Sequence, residues 1–181
     1  MTYCQTVILK NGKEALLRNG VASDGSAVFE VFNLTHAETD YLLSYPDENS
    51  LDPEQEARFL EEKTASPNGI EIIALVDGKL AGTAGIEAVG TKYKVRHRAE
   101  FGIGILRDYW GLGLGKALTC ACIQCAKAAG YTQLELNVVA DNRRAVSLYR
   151  NLGFEEFGRN IRGFYSRTGT YQELIYMLLK L

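Results

Sequence analysis

Glycine occupies alternate positions just before a long apolar run, at Gly111, Gly113 and Gly115. Glycine lets the backbone turn tightly, so that several amide N–H groups can point to one place. The run that follows predicts a helix, whose first N–H groups lack partners and carry the positive end of the helix dipole. The segment therefore predicts an anion site, most naturally for a phosphate or pyrophosphate.

Spacing excludes two widespread phosphate loops. A P-loop needs a glycine five residues before its last glycine and Ser or Thr after its lysine, but Trp110 and Ala117 stand at these positions. A dinucleotide fingerprint counted from either of the first two glycines requires glycine where the chain has Lys116 or Leu118. Neither fingerprint fits the chain.

The glycine loop lies between a strand and a helix. Phe101, Ile103 and Ile105 alternate with two glycines, which predicts a strand with one apolar face and one bare face. The bare face leaves room for something to lie against the strand. After the helix, a strand is predicted from Thr132 to Val139, and the crossover rule makes it parallel to the strand before the helix.

The other elements predict a mixed sheet that is antiparallel at first and parallel at the central pair, with helices on both faces. Helices are expected to begin near Asp24, Asp52 and Asn142, where capping residues precede apolar periodicity. The remaining strands are expected to form three hairpins, around Asn11-Gly12, around Asp77-Gly78 and across the loop Gly163 to Thr170. One domain is expected over residues 1–181.

Composition narrows the class of partner. Twenty basic and 22 acidic residues leave a formal charge of −2 without a basic run, which argues against a nucleic-acid partner and favours a small molecule or peptide. The chain shows no signal peptide and no window of transmembrane length, so a soluble cytoplasmic protein without a membrane partner is expected. Four cysteines, three of them in one predicted helix, favour small apolar residues in a reducing compartment over a metal site.

Two motifs together resemble the GNAT superfamily of acyl-CoA N-acyltransferases. The first is Trp110-Gly111-Leu112-Gly113-Leu114-Gly115, which matches the family motif except at Trp110, where the family has Arg or Gln. An indole cannot give the charged or amide donor that those residues offer a pyrophosphate. The second, from Leu136 to Phe154, has the family's order of strand, asparagine, helix, tyrosine and Gly-Phe. The resemblance covers most of the chain.

The resemblance implies an α/β (mixed α+β) fold with a mostly antiparallel, seven-stranded central sheet and a splayed parallel pair. The pantetheine arm of acetyl-CoA would lie in the gap between the strands Phe101 to Leu106 and Leu134 to Val139. Amides near Ile105 and Leu106 would hold the acetyl carbonyl and favour the charge that builds on its oxygen. The residues expected to bind acetyl-CoA are Ile105, Leu106, Arg107, Trp110, Gly111, Leu112, Gly113, Leu114, Gly115, Lys116, Asn137, Asn142 and Ala145.

The resemblance also implies general acid and base groups. An α-amino group has a pKa of about 8 and a lysine about 10.4, so a base helps at neutral pH. Glu100 is the candidate base, although it could equally anchor the substrate amine or be a solvated strand residue. Tyr149 is the candidate acid for the departing thiolate, with a core tyrosine as the alternative. Asn142 could cap a helix alone or also bind the pantetheine arm.

The function implied is direct transfer of an acetyl group from acetyl-CoA to a primary amine. The alternatives are a non-catalytic acyl-CoA-binding regulatory module and a transferase of longer acyl groups. The acceptor site is expected between the region Asp24 to Pro67 and the loop Gly163 to Thr170. Acidic residues near Asp47 and Asp52 hint at a cationic acceptor, and a solvated helix start explains them equally well. A homodimer is compatible with the exposed edges of the last hairpin.

Overall fold

The computed structural model describes residues 1–181, in which one mixed sheet of eight strands is combined with four helices. The strands are β1 (Cys4–Ile8), β2 (Glu14–Asn19), β3 (Ile70–Val76), β4 (Lys79–Ala88), β5 (Arg98–Ile105), β6 (Gln133–Val139), β7 (Glu155–Tyr165) and β8 (Tyr171–Lys180). The helices are α1 (Gly25–Glu38), α2 (Pro53–Ala65), α3 (Leu114–Ala128) and α4 (Arg143–Asn151). The predicted mixed fold is confirmed.

The sheet has eight strands instead of the seven predicted. Its order is β1-β2-β3-β4-β5-β6-β8-β7, and every neighbouring pair is antiparallel except β5 and β6. The resemblance implied seven, but the three hairpins and the two central strands read from the sequence all join the sheet. β1 pairs with β2 from Cys4 opposite Arg18, and β2 pairs in turn with β3.

The parallel pair is splayed, as predicted. β5 and β6 pair only from Arg98 to Glu100 with Gln133 to Glu135. Beyond these residues, β5 continues its pairing with β4 to Ile105, and β6 continues its pairing with β8 to Val139. The two central strands therefore separate while each stays held by its outer neighbour, and a gap opens between them.

Apolar side chains hold helices to both faces of the sheet. The face under α3 and α4 belongs to a core of 27 buried residues, which includes Phe101, Leu118 and Leu136. On the opposite face, Val28 of α1 and Leu60 of α2 pack with Ile73 of β3. The gap between β5 and β6 is thus bordered by helices from both sides of the sheet.

Three boundaries differ from the sequence-based expectations. The sequence predicts boundaries at Tyr41, Val95 and Arg162, whereas α1 ends at Glu38, β5 begins at Arg98 and β7 continues to Tyr165. The last difference arises because β7 absorbs extra residues between Asn160 and Phe164, after which its pairing with β8 resumes. The turn between these strands is therefore shorter than the predicted loop. None of the four helices is long and apolar enough to cross a membrane.

Candidate active site

The glycine loop has the backbone geometry that its sequence predicts. Gly111 and Gly113 have φ angles of 79° and 95°, in the left-handed region that favours glycine. Gly113 is the N-cap of α3, so the loop leads directly into the positive end of a 15-residue helix. The carbonyl of Leu112 accepts a 2.9 Å hydrogen bond from the N–H of Lys10, which ties the loop to the N-terminal hairpin. This arrangement can hold a phosphate group on main-chain amides.

Trp110 links this loop to the end of β5. Its indole Nε1 donates a 2.7 Å hydrogen bond to the carbonyl of Ile105. The guanidinium groups of Arg107 and Arg144 lie 5.6 Å and 5.3 Å from the centre of its rings, within the range of cation–π attraction. Trp110, which carries no charge itself, thus has two cations beside it at the loop.

Sequence reasoning missed Arg144. It comes two residues after Asn142, in the first turn of α4, and its side chain is exposed. The signal available in the sequence was its place inside the second family motif. The sequence could not show that α4 packs beside the glycine loop. A Cβ added to Gly115 would lie 3.4 Å from the side chain of Leu148 in α4.

The main chain of β5 presents alternate residues to the gap. The carbonyl of Arg98 accepts a hydrogen bond from the N–H of Val89, and the N–H of Leu106 donates to the carbonyl of Ala81 at 3.0 Å. The backbone N–H and C=O groups of the even-numbered residues therefore point toward β4. Because backbone groups alternate along a strand, the N–H groups of Phe101, Ile103 and Ile105 face the gap. Two amides were expected to hold the acetyl carbonyl. The N–H of Ile105 points into the gap, whereas the N–H of Leu106 already donates a hydrogen bond to Ala81.

Tyr149 of α4 packs against β5, one of the two strands that border the gap. Its ring is held between Phe101, which it meets edge-on at 6.1 Å between centroids, and Phe154 at 5.8 Å. Its hydroxyl has no hydrogen-bond partner in the protein, yet it is not sealed from solvent. Burial of the residue raises the pKa of the phenol well above its usual value, so the group is protonated at neutral pH.

The two asparagines differ in role. The side chain of Asn142 accepts a 3.2 Å hydrogen bond from the N–H of Ala145, so it caps α4. Asn137 is exposed on β6, in the stretch that has separated from β5. Asn142 therefore shapes the start of α4, while the Asn137 side chain is free to meet a ligand in the gap.

The bare face of β5 is open at one of its two glycines. A Cβ on Gly102 would meet nothing within 4 Å, whereas a Cβ on Gly104 would lie 3.4 Å from the hydroxyl of Thr35 in α1. Gly102 is paired with Gly85 of β4, but the Glu71 side chain lies over Gly85, so the backbone is bare at Gly102. A small molecule can approach the backbone closely there.

Three glutamates stand side by side below this opening. Glu87, Glu100 and Glu135 are in register on β4, β5 and β6. Glu135 forms an ion pair with Arg98, which lowers the pKa of its carboxyl, and Glu87 lies 3.2 Å from the Nζ of Lys63. Glu100 is exposed and makes no ion pair, so among the three its carboxylate is available to a substrate.

The two segments expected to share the acceptor site are joined to each other. Arg167, in the turn between β7 and β8, donates to both oxygens of Asp47 at 2.7 Å and 2.8 Å. Its guanidinium lies 4.1 Å from the ring centre of Tyr45, whose hydroxyl accepts from the Arg167 N–H at 2.9 Å. Asp52 is likewise occupied, because it caps α2 through the N–H of Gln55. Asp47 and Asp52 thus have structural partners within the protein, so they are weaker evidence for a cationic acceptor.

No group of three or more His, Cys, Asp or Glu side chains is arranged to hold a metal ion. The four cysteines are free. The chemistry available at this site therefore comes from main-chain amides, a phenol and carboxylates.

Comparison with known proteins gives one family. Residues 33–154 match the model of the acetyltransferase (GNAT) family. An acetyltransferase of the GNAT family from Streptococcus pneumoniae is 32% identical, with a TM-score of 0.88 over 92% of this chain and 99% of that one. A Salmonella typhimurium structure, described as a putative acetyltransferase with its cofactor acetyl-CoA, is 19% identical with a TM-score of 0.80 and shares the fold.

Two curated relatives carry more specific names. An L-amino acid N-acetyltransferase of Escherichia coli is 27% identical over 167 residues, which are 91% of this chain and 96% of that protein. A mycothiol acetyltransferase of Pseudarthrobacter chlorophenolicus is 32% identical over 123 residues, 65% of this chain. The match spans only 36% of the length of that mycothiol enzyme.

Proposed function

The chain belongs to the acetyltransferase (GNAT) family, and from this premise we propose that it moves an acetyl group from acetyl-CoA directly to a primary amine. The acceptor would be a small molecule or a peptide amine. The observation that carries the proposal is the gap between β5 and β6, which has the glycine loop at one end, with the Tyr149 ring packed against Phe101 of β5.

The donor would bind along the main chain. The N–H groups of β5 that face the gap can pair with the amides of a pantetheine arm as a further strand would. Its pyrophosphate would lie on the amides of the glycine loop, near the positive charges of Arg107, Arg144 and Lys116. These cations support phosphate binding even though Trp110 itself offers no charge.

Transfer then needs three groups in order. The amine nitrogen attacks the thioester carbon, and the N–H of Ile105 can stabilise the charge on its oxygen. A C–N bond forms, the C–S bond breaks, and Tyr149 gives a proton to the departing thiolate. Its raised pKa suits this role, because a phenol that stays protonated can act as an acid. Glu100 faces the acceptor side, either as base or as anchor for the amine.

The acceptor would enter over Gly102, on the face opposite the core under α3. The carboxylates that border this opening favour an ammonium group there over an anion. The name of the Escherichia coli relative, an L-amino acid N-acetyltransferase, makes amino acids the first acceptors to examine.

The test is release of free thiol from acetyl-CoA with a panel of amino acids, polyamines, aminoglycosides and peptide amines. Amine-dependent release, with the acetylated product identified by mass spectrometry, would establish the transferase and its acceptor class. Tight acetyl-CoA binding without release with any amine would favour the non-catalytic binding module. Faster release from a longer acyl-CoA would favour the longer-chain transferase.

A further inference from the structure

The carboxylate of Glu71 lies next to the opening over Gly102, and no step described above uses it. Glu71 is on β3, opposite Gly85 of β4. One oxygen of its carboxylate occupies the place where a Cβ on Gly85 would stand. The side chain therefore leans sideways across β4, toward β5.

This direction points the carboxylate at the acceptor opening. Gly85 is paired on its other side with Gly102, above which a Cβ would meet nothing within 4 Å. Directly opposite Cβ positions in an antiparallel pair are about 5 Å apart. The Glu71 carboxylate thus borders the open space over Gly102 at a distance of roughly one strand.

Glu71 is nearer than Glu100 to the place where the acetyl carbonyl would lie. A strand rises about 3.4 Å per residue, so Gly102 is about 10 Å along β5 from Ile105, and Glu100 is about 17 Å from it. The Glu71 side chain reaches the level of Gly102, whereas Glu100 starts two residues further away. Glu71 is therefore the nearer of the two carboxylates, and it can reach the attacking nitrogen through intervening water.

The surroundings of Glu71 suit a proton acceptor. The side chain is partly buried, and burial raises the pKa of the carboxyl to about 7, with the negative charges of Glu56 on α2 and Glu87 on β4 acting in the same direction. Lys63 on α2 and the hydroxyl of Thr83 on β4 act in the opposite direction. A base whose pKa lies near the working pH is the most effective.

On the premise of the proposed amine acetylation, we propose that Glu71 is the general base of the reaction and that Glu100 anchors the ammonium group. Through intervening water, Glu71 takes one proton from the ammonium, and the free amine attacks the thioester. The nitrogen loses a second proton as the amide forms, and this proton replaces the one that Tyr149 gives to the sulfur. The proton on Glu71 then leaves to solvent, so the turnover yields the amide, free coenzyme A and one proton.

The experiment measures kcat/KM against pH for the wild type and Glu71→Gln, with the exposed Glu62→Gln of α2 as control. With an alkyl amine acceptor, Glu71→Gln should lower kcat/KM about 100-fold and remove the acid limb near neutral pH. Acetyl-CoA affinity should not change. With an aromatic amine, which is unprotonated at neutral pH, the loss should be much smaller, because that nitrogen needs no base before attack.

Two further variants keep Glu71 itself and change either the position of its carboxylate or a negative charge near it. Gly85→Ala keeps Glu71 but puts a methyl group where its carboxylate lies, so the alkyl amine rate should fall while the aromatic amine rate is largely kept. Glu56→Gln removes a negative neighbour, so the midpoint of the acid limb should move to lower pH.

The outcomes are distinct. A folded Glu71→Gln variant that keeps the wild-type rate and acid limb would overturn this inference and leave the transferase intact. Loss of the acid limb in Glu100→Gln but not in Glu71→Gln would also overturn it and assign the base to Glu100. A wild type that acetylates no amine would overturn the proposed function itself and this inference with it.

Discussion

The donor half and the acceptor half of the candidate active site are built in different ways. The donor half uses main-chain groups that are close in sequence: the amides of β5, the glycine loop and the first turn of α3. The acceptor half uses side chains from strands and turns that are far apart, such as Glu71, Glu100 and Arg167. We expect a main-chain site to tolerate an unusual side chain such as Trp110, whereas a side-chain site depends on each residue.

The largest effect is expected from Tyr149→Phe, because this side chain, unlike the main-chain groups of the donor half, has a proposed chemical role. Loss of the phenol proton should lower kcat about 100-fold or more, since positioned acids contribute about 10²–10⁴-fold. Folding stability should hardly change, because the hydroxyl makes no hydrogen bond to the protein. Steady-state kinetics and thermal unfolding would check both points. An unchanged kcat would make Tyr149 a core residue only.

On the acceptor half, Glu71→Gln should change the pH dependence of stability. The pKa of Glu71 is raised from 4.5 to about 7, so between these pH values the folded state binds more protons than the unfolded state. The free energy of unfolding of the wild type should therefore fall as pH rises through this window. The difference from Glu71→Gln should amount to roughly 2–3 kcal/mol. Urea unfolding of both proteins between pH 4 and 8 measures it, and parallel curves would contradict it.

Gly113→Ala should weaken the donor half alone. A Cβ at this φ of 95° costs about 1–2 kcal/mol and distorts the anion loop, so the Kd for acetyl-CoA should rise about tenfold. Gly130→Ala is the matched control, because its φ is 82° at the other end of α3. It should lower stability to a similar extent without changing the Kd. Isothermal titration calorimetry distinguishes the two variants, and equal affinities would argue against the loop as the phosphate site.

The smallest effect expected is from Arg167→Ala, which cuts the link between the two acceptor segments. An exposed ion pair contributes about 0–1 kcal/mol, so the KM for the amine should rise only a few-fold, with acetyl-CoA affinity unchanged. Arg162→Ala serves as control, since Arg162 lies against Tyr171 at 4.6 Å without an ion pair. A change in acetyl-CoA affinity instead would mean that the link acts on the donor half.

The sequence alone determined the order of the elements and the backbone geometry of the glycine loop. The Asp52 capping box, the hairpin turns, the glycine loop and the cap at Asn142 all depend on residues within a few positions of one another. Short-range chemistry of this kind is readable along the chain, because backbone conformation and helix ends respond to neighbouring residues. The splayed pair followed from the family resemblance and is confirmed by the short β5–β6 pairing.

Only the tertiary structure decided the acceptor half. Nothing local in the sequence places Glu71 over Gly85 and beside Gly102, lines up Glu100 with two other glutamates, or brings Arg167 to Asp47. The approach of Arg144 to Trp110 belongs to the same class. Strand register and helix placement arise from packing between distant segments, and a shift of one residue would turn each of these side chains to the other face.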